Sequence, residues 1–251
     1  MTQIALITGA NKGIGYETAR LLAARGMTVL VGARDETLGQ QAEHTLRDGG
    51  ADAHFVQLDV TDDKSIALAV ETVETRYGHL DVLVNNAGII GPAGARGGPS
   101  STTREALREV FETNVFGPVA MVNAFLPLLR RADAARIVNV SSEVGSLASI
   151  SSPESPLYQL TAIPYPTSKS ALNMVTVMYA KELKDTPIKV NAANPGYCAT
   201  DLNGKSGFRT PTQGAEISVH LATLPADGPS GQLWGSLWVD GDPDATGSMA
   251  W

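Results

Sequence analysis

"IALITGANKGIG", residues 4 to 15, runs from a short apolar segment through a glycine-rich turn into the start of an amphipathic stretch. Gly9, Gly13 and Gly15 let the backbone turn tightly and bring a pyrophosphate close to a helix N-terminus, where free N–H groups and the dipole favour an anion. The spacing is G-x-x-x-G-x-G and not the commoner G-x-G-x-x-G. Ordinary turn glycines would have the same composition, so the strand before and the helix after carry the reading. In the helix that follows, Ile14, Thr18, Leu21 and Leu22 form an apolar stripe that ends at Gly26, a C-terminal cap.

The same alternation continues along the chain. Strands are predicted at 4 to 8, 28 to 33, 53 to 58, 80 to 85, 136 to 141, 188 to 193 and 233 to 239. Most are continuous apolar runs, as strands buried on both faces require. Segments 62 to 77, 101 to 130, 164 to 184 and 211 to 223 have helical periodicity. Strand alternating with helix implies right-handed βαβ units. The fold expected is therefore α/β: a single doubly wound parallel sheet, Rossmann-like, of about seven strands with helices on both faces. One domain spanning 1 to 251 is expected, without linker or repeat. The longest irregular stretch, 143 to 163, is rich in serine and proline, and a loop that long is usually functional or mobile.

Composition narrows the class. A net charge of −7 leaves no basic tract to neutralise phosphates, which argues against nucleic acid or an acidic membrane as partner. The single cysteine, Cys198, allows no internal disulfide and no thiolate cluster, and the four histidines are scattered, so no metal site is expected. The opening "MTQIALITGA" reads as a strand and not as an export signal, and no apolar run reaches the ~18 residues of a membrane span. A soluble cytoplasmic protein is expected.

The second strand ends "VGARD", 31 to 35, where the adenosine ribose of a bound dinucleotide would lie. An acidic residue there binds a bare 2′-hydroxyl, and a basic one accommodates a 2′-phosphate. Ala33 stands where the acid would be, Arg34 follows, and Lys12 lies in the glycine turn. Two converging cations favour NADP(H). Asp35 could serve as the acid that NAD needs, or could cap the next helix.

Further along, "PYPTSKSALN", 164 to 173, sets Tyr165 one helical turn before Lys169. Positions i and i+4 share a face, and an ammonium beside a phenol favours the phenolate. Such a pair also arises by chance, so the rest of the chain must decide its meaning.

The glycine turn, "NNAG" (85 to 88), Ser142, and Tyr165 with Lys169 occur in the order found in the short-chain dehydrogenase/reductase family. "LDV" (58 to 60), Asn114 in "TNVFG" and "NPGYCATD" (194 to 201) extend the likeness. The chain resembles that family over nearly its whole length. The resemblance implies a catalytic tetrad. Tyr165 would be the acid/base at a carbonyl or alcohol oxygen, and Lys169 would lower its pKa and hold the nicotinamide ribose. Ser142, in preference to Ser141, would hydrogen-bond the reacting oxygen. Asn114 would kink its helix and position a water.

It also implies that the cofactor is held by Gly9, Asn11, Lys12, Gly13, Ile14 and Gly15, with Arg34 at the ribose and Val60 at the adenine. Asp59 would accept from the adenine amino group or cap a strand end. Asn86, Ala87 and Gly88 would pack on the adenosine ribose. Pro195, Gly196, Cys198 and Thr200 would meet the nicotinamide end. The 23 residues from Ser142 to Tyr165 resemble the insertion of the carbonyl-reductase branch, which borders the substrate cleft. That branch includes monomers, so a homo-oligomer and a monomer both stay open. The activity implied is NADP(H)-dependent reduction of a small ketone or aldehyde; the alternative is a dinucleotide-binding sensor that kept the fold without turnover.

Overall fold

The computed structural model describes residues 2–92, 97–238, 242 and 244–251. Strands β1 (Ile4–Thr8), β2 (Thr28–Ala33), β3 (Ala53–Gln57), β4 (Val82–Asn85), β5 (Arg136–Val140), β6 (Lys189–Asn194), β7 (Leu233–Ser236) and β8 (Thr246–Met249) form one sheet. Their order is β3-β2-β1-β4-β5-β6-β7-β8. All neighbours are parallel except β8, which runs antiparallel to β7. The strand order reverses between β1 and β4. That places a crevice at the carboxyl ends of these two strands, where such folds take their ligands.

The helices are α1 (Gly13–Ala23), α2 (Glu36–Asp48), α3 (Asp63–Tyr77), α4 (Arg104–Phe111), α5 (Gly117–Leu129), α6 (Leu147–Ser151), α7 (Pro164–Glu182) and α8 (Pro211–Ala222). Side chains alternate across the sheet, so each strand feeds two cores. Leu30, Leu6, Leu83, Ile137 and Val190 are in register on one face, packed with Val73 of α3, Phe125 of α5 and Ala180 of α7. Val31, Ile7, Val84 and Val138 line the other face, against Leu22 of α1, Leu46 of α2 and Ile217 of α8. Each such aliphatic side chain, fully buried, contributes about 1.5–3 kcal/mol.

Four features depart from the sequence reading. First, the sheet has an eighth strand. Its "TGSM" alternates exposed and half-buried positions and carries no apolar run to announce it. Second, the seventh strand ends at Ser236, and Val239 of the stretch read there lies outside the described residues. Third, residues 101 to 130 are not one helix. A π-helical turn, Glu112–Phe116, separates α4 from α5. Pro118 has no N–H to offer the Asn114 carbonyl, so regular α-helical bonding cannot pass through this point. Fourth, 143 to 163 is not wholly irregular: a tight turn, Glu143–Gly145, and α6 occupy its first half, with Gly145 and Ser146 buried.

Candidate active site

The crevice is floored by the glycine turn. Gly9 and Gly13 adopt left-handed backbone angles, φ +63° and +59°. A Cβ on Gly9 would stand 3.1 Å from the Ala87 Cα, and one on Gly15 would stand 2.5 Å from the Gly9 carbonyl oxygen. No side chain caps the start of α1, and no acidic residue lies in its first turn. Its free N–H groups therefore remain available to an anion, as a pyrophosphate cradle requires. The Asn86 amide fixes the turn, donating to the Thr8 carbonyl at 2.8 Å and the Gly9 carbonyl at 3.2 Å. The Thr8 hydroxyl accepts from the Asn86 and Ala87 N–H groups, each at 3.0 Å. The supporting role of Thr8, directly before the first glycine, was not legible in the sequence.

Next to this cradle, α7 begins with Pro164 in its first turn and carries Tyr165 and Lys169 on one face. The Lys169 Nζ lies 5.5 Å from the Tyr165 ring centre and donates to the Val140 carbonyl at 2.7 Å. Ser142 follows β5; its hydroxyl accepts from the Val144 N–H at 3.4 Å and lies beside the Tyr165 phenol, where it favours the phenolate. Ser141 turns the other way and is buried, donating to the Asn173 side chain at 2.5 Å. Two adjacent serines thus separate cleanly into one facing the crevice and one packed under α7. Gly145 makes that possible, because a Cβ there would stand 2.6 Å from the Lys169 carbonyl carbon. Any larger residue would push the turn carrying Ser142 away from Tyr165.

Asn114 is fully buried. Its amide donates to the Ile89 carbonyl at 2.9 Å and to the Ser168 hydroxyl at 3.0 Å, and its oxygen accepts from the Ile89 N–H at 2.9 Å. Ser168, which the sequence gave no reason to single out, donates in turn to the Tyr165 carbonyl at 2.7 Å. Gly88 completes the group, since a Cβ on it would lie 3.4 Å from the Asn114 oxygen and 3.7 Å from the Lys169 Nζ.

Burial governs the protonation of this group. It pushes the Tyr165 phenol up to about 12, with the neighbouring Ser142 hydroxyl opposing. It draws Lys169 down to about 8. The sequence reading expected Lys169 to lower the tyrosine. Here the ammonium is spent on the Val140 carbonyl, and desolvation is the larger effect on both groups.

A family model for the short chain dehydrogenases matches residues 3–209. The chain is a short-chain dehydrogenase. It is 34% identical to (+)-neomenthol dehydrogenase of Capsicum annuum, covering 92% of this chain and 94% of that protein. It is 39% identical to Short-chain dehydrogenase anuI of Penicillium roqueforti, with 94% of each covered. The crystal structure of NADPH-bound carbonyl reductase from chicken fatty liver superposes with a TM-score of 0.84 at 28% identity, over 100% of this chain and 99% of that one. Membership makes the chain an oxidoreductase of the nicotinamide-dependent kind.

Asn11 and Lys12 line an open cleft of about 330 Å³ with Tyr16, Leu38 and Gln41. Arg34 is exposed and has no ion pair among the described residues, whereas Lys12 pairs with Asp201 at 3.0 Å. Asp35 caps α2, accepting from the Leu38 N–H at 2.9 Å. Asp59 also caps: one oxygen accepts from the Thr61 N–H at 2.9 Å and from its hydroxyl at 2.7 Å. Val60 is buried and would stand 3.0 Å from a Cβ on Gly117.

Across the crevice, Ile14 and Pro195 both pack at Gly214, and Gly196 takes φ +74° where a Cβ would stand 2.7 Å from the Arg209 side chain. Thr200 lies over the glycine turn, 3.7 Å from where a Gly13 Cβ would be. The Cys198 thiol donates to the Pro195 carbonyl at 3.3 Å, and burial pushes it up to about 11, with Arg209 opposing. It stays a protonated packing group at neutral pH. Sequence reasoning also missed Asn194, whose oxygen accepts from the Glu143 N–H at 3.0 Å and the Gly196 N–H at 3.3 Å. Its position, directly before the Pro-Gly pair, was the available signal. Among the described residues no group of acids, histidines and cysteine could hold a metal, and no helix is long and apolar enough to cross a membrane.

Proposed function

We propose that this single-domain chain is an NADP(H)-dependent reductase that converts a small ketone or aldehyde to an alcohol, acting in the cytoplasm. The observation that carries the reading is the juxtaposition of Tyr165, Ser142 and Lys169 beside an uncapped glycine-rich helix start. The glycine cradle fits a dinucleotide because it leaves no room for side chains where the pyrophosphate would sit. Gly9, Gly13 and Gly15 would hold that group, Arg34 and Lys12 the 2′-phosphate, and Lys169 the nicotinamide ribose. When bound, the cofactor supplies a hydride.

The protein's own part is proton delivery and orientation. The Ser142 hydroxyl can donate to a carbonyl oxygen while Tyr165 presents its proton to the same atom. A phenol held at about 12 keeps that proton at neutral pH, which suits an acid in reduction better than a base in oxidation. Lys169, drawn down to about 8, still carries most of its charge at pH 7. Asn114 fixes the loop after β4 to the start of α7 through Ile89 and Ser168, which keeps Tyr165 in place.

The choice of NADP(H) rests on the exposed Arg34, on the capping role of Asp35, and on the likeness to an NADPH-bound carbonyl reductase. The test is NADPH and NADH oxidation with a panel of ketones, aldehydes and quinones. The reading expects kcat/KM for NADPH to exceed that for NADH. A ratio below one would mean that an acid reads the ribose instead.

A further inference from the structure

Glu143 directly follows Ser142, and its half-buried carboxylate lies beside the Trp238 indole and the Ser149 hydroxyl, which favour its charged form. It has no ion pair among the described residues, and burial raises its pKa. A desolvated carboxylate with only neutral donors is costly to keep, so its position calls for a reason. What it holds is an aromatic series. Trp238 meets Phe208 edge to face with centres 5.3 Å apart, and Phe208 meets Tyr197 at 6.1 Å. These rings expose 51%, 58% and 46% of their surface, although aromatic side chains are usually the first to be buried.

Both ends of the series are tied to the reaction centre. Tyr197 lies between Gly196 and Cys198, and the Trp238 indole lies beside the carboxylate of the residue after Ser142. Exposed apolar surface next to a reaction centre is what a ligand covers.

Resting on the reductase reading, we propose that Glu143 is a positioning residue that locks Trp238 in place, and that Trp238 and Phe208 form a substrate wall selecting carbonyl compounds with a flat ring system. The ring body lies on the aromatic faces while its carbonyl reaches Ser142 and Tyr165. Small acyclic ketones leave the wall uncovered and gain nothing from it. The carboxylate acts only through Trp238 and takes no proton in the reaction.

The test compares 2-tetralone with 2-butanone, using NADPH, in Trp238→Ala, Glu143→Ala and Glu143→Gln. Trp238→Ala should raise KM for 2-tetralone about tenfold, with kcat within about twofold and 2-butanone unaffected. Glu143→Ala should copy it. Glu143→Gln keeps an acceptor for the indole N–H and should stay close to wild type on both ketones, which guards against a fold made unstable by the alanine. Equal losses on both ketones, or none on either, would overturn the wall. Ligand-observed NMR of 2-tetralone on the cofactor-free protein separates this proposal from the reductase reading. Saturable binding to wild type that Trp238→Ala loses, without turnover of either ketone, would keep the wall and remove the reductase. No difference in binding between the two proteins would remove the wall.

Discussion

The glycine turn and the proposed substrate wall are built on different principles. In the turn, backbone meets backbone: Gly9 against Ala87, Gly15 against the Gly9 carbonyl, with Asn86 and Thr8 fastening the two loops. Specificity there is a matter of excluded Cβ atoms, and one contiguous stretch supplies most of it. The proposed wall is made of side chains from separate parts of the chain, Phe208 and Trp238, with Tyr197 in ring contact at one end and Glu143 beside Trp238 at the other. A backbone site tolerates almost no change and announces itself in sequence. A side-chain site can be rebuilt residue by residue, and so it can be fitted to different substrates on one scaffold.

If the two regions are separable, substitutions should damage one and spare the other. The largest effect is expected from Tyr165→Phe, which removes only the transferred proton. Turnover should fall on the order of 10² to 10⁴-fold while the NADPH dissociation constant, followed by fluorescence, stays put. A matching loss of cofactor affinity would merge the two regions into one. Ser142→Ala should cost on the order of 10² in kcat with little change in stability. Ser141→Ala should do the reverse, costing about 1–2 kcal/mol in urea unfolding by leaving the buried Asn173 oxygen without its donor, with kcat nearly intact. If Ser141→Ala were the inactive variant, the division between the two serines would be wrong.

Lys169 sharpens the comparison through pH. Its folded value of about 8 lies below its ordinary value near 10.5, so between these the unfolded chain binds the extra proton and stability rises with pH. Tyr165, raised to about 12, keeps a proton that the unfolded chain loses above pH ~10, so its contribution to stability declines from there upward. At pH 7 the buried ammonium costs stability. Lys169→Met should therefore unfold at higher urea, by about 1–3 kcal/mol, with the gap closing toward pH ~10.5, while activity is lost. A destabilised variant would mean that the bond to the Val140 carbonyl outweighs desolvation. The smallest effect is on the cofactor side. Arg34→Ala should weaken NADPH about tenfold, since a charge-assisted contact at an exposed site contributes little more than 1.4 kcal/mol, and should leave NADH unchanged.

The sequence made the backbone-driven parts legible. Buried parallel strands read as apolar runs, the glycines marked the cradle, and Tyr165 and Lys169 shared a helix face, because each follows from local geometry. What it hid was set by tertiary contact. β8 is polar and exists only because the β7 edge pairs with it. The turn at Asn114 needs Pro118 to end the α-helical bonding and Ile89 to take the side chain. Asp59 and Asp35 could each be cap or ligand from sequence, and only the Thr61 and Leu38 N–H groups show them capping. Ser168 and Asn194 meet partners far along the chain, Asn114 and the Glu143 N–H, and no periodicity points to them.

The central claim is hydride transfer from a nicotinamide to a carbonyl carbon, with the proton supplied by the protein. NADPH carrying deuterium at C4 on the transferred face should be incubated with 2-tetralone, or with whichever ketone of the panel turns over, and the alcohol examined by NMR. The account predicts deuterium on the carbinol carbon in wild type, and transfer slowed by on the order of 10² or more in Tyr165→Phe at saturating NADPH. Alcohol without deuterium at that carbon, or a Tyr165→Phe protein within tenfold of wild type, would contradict it.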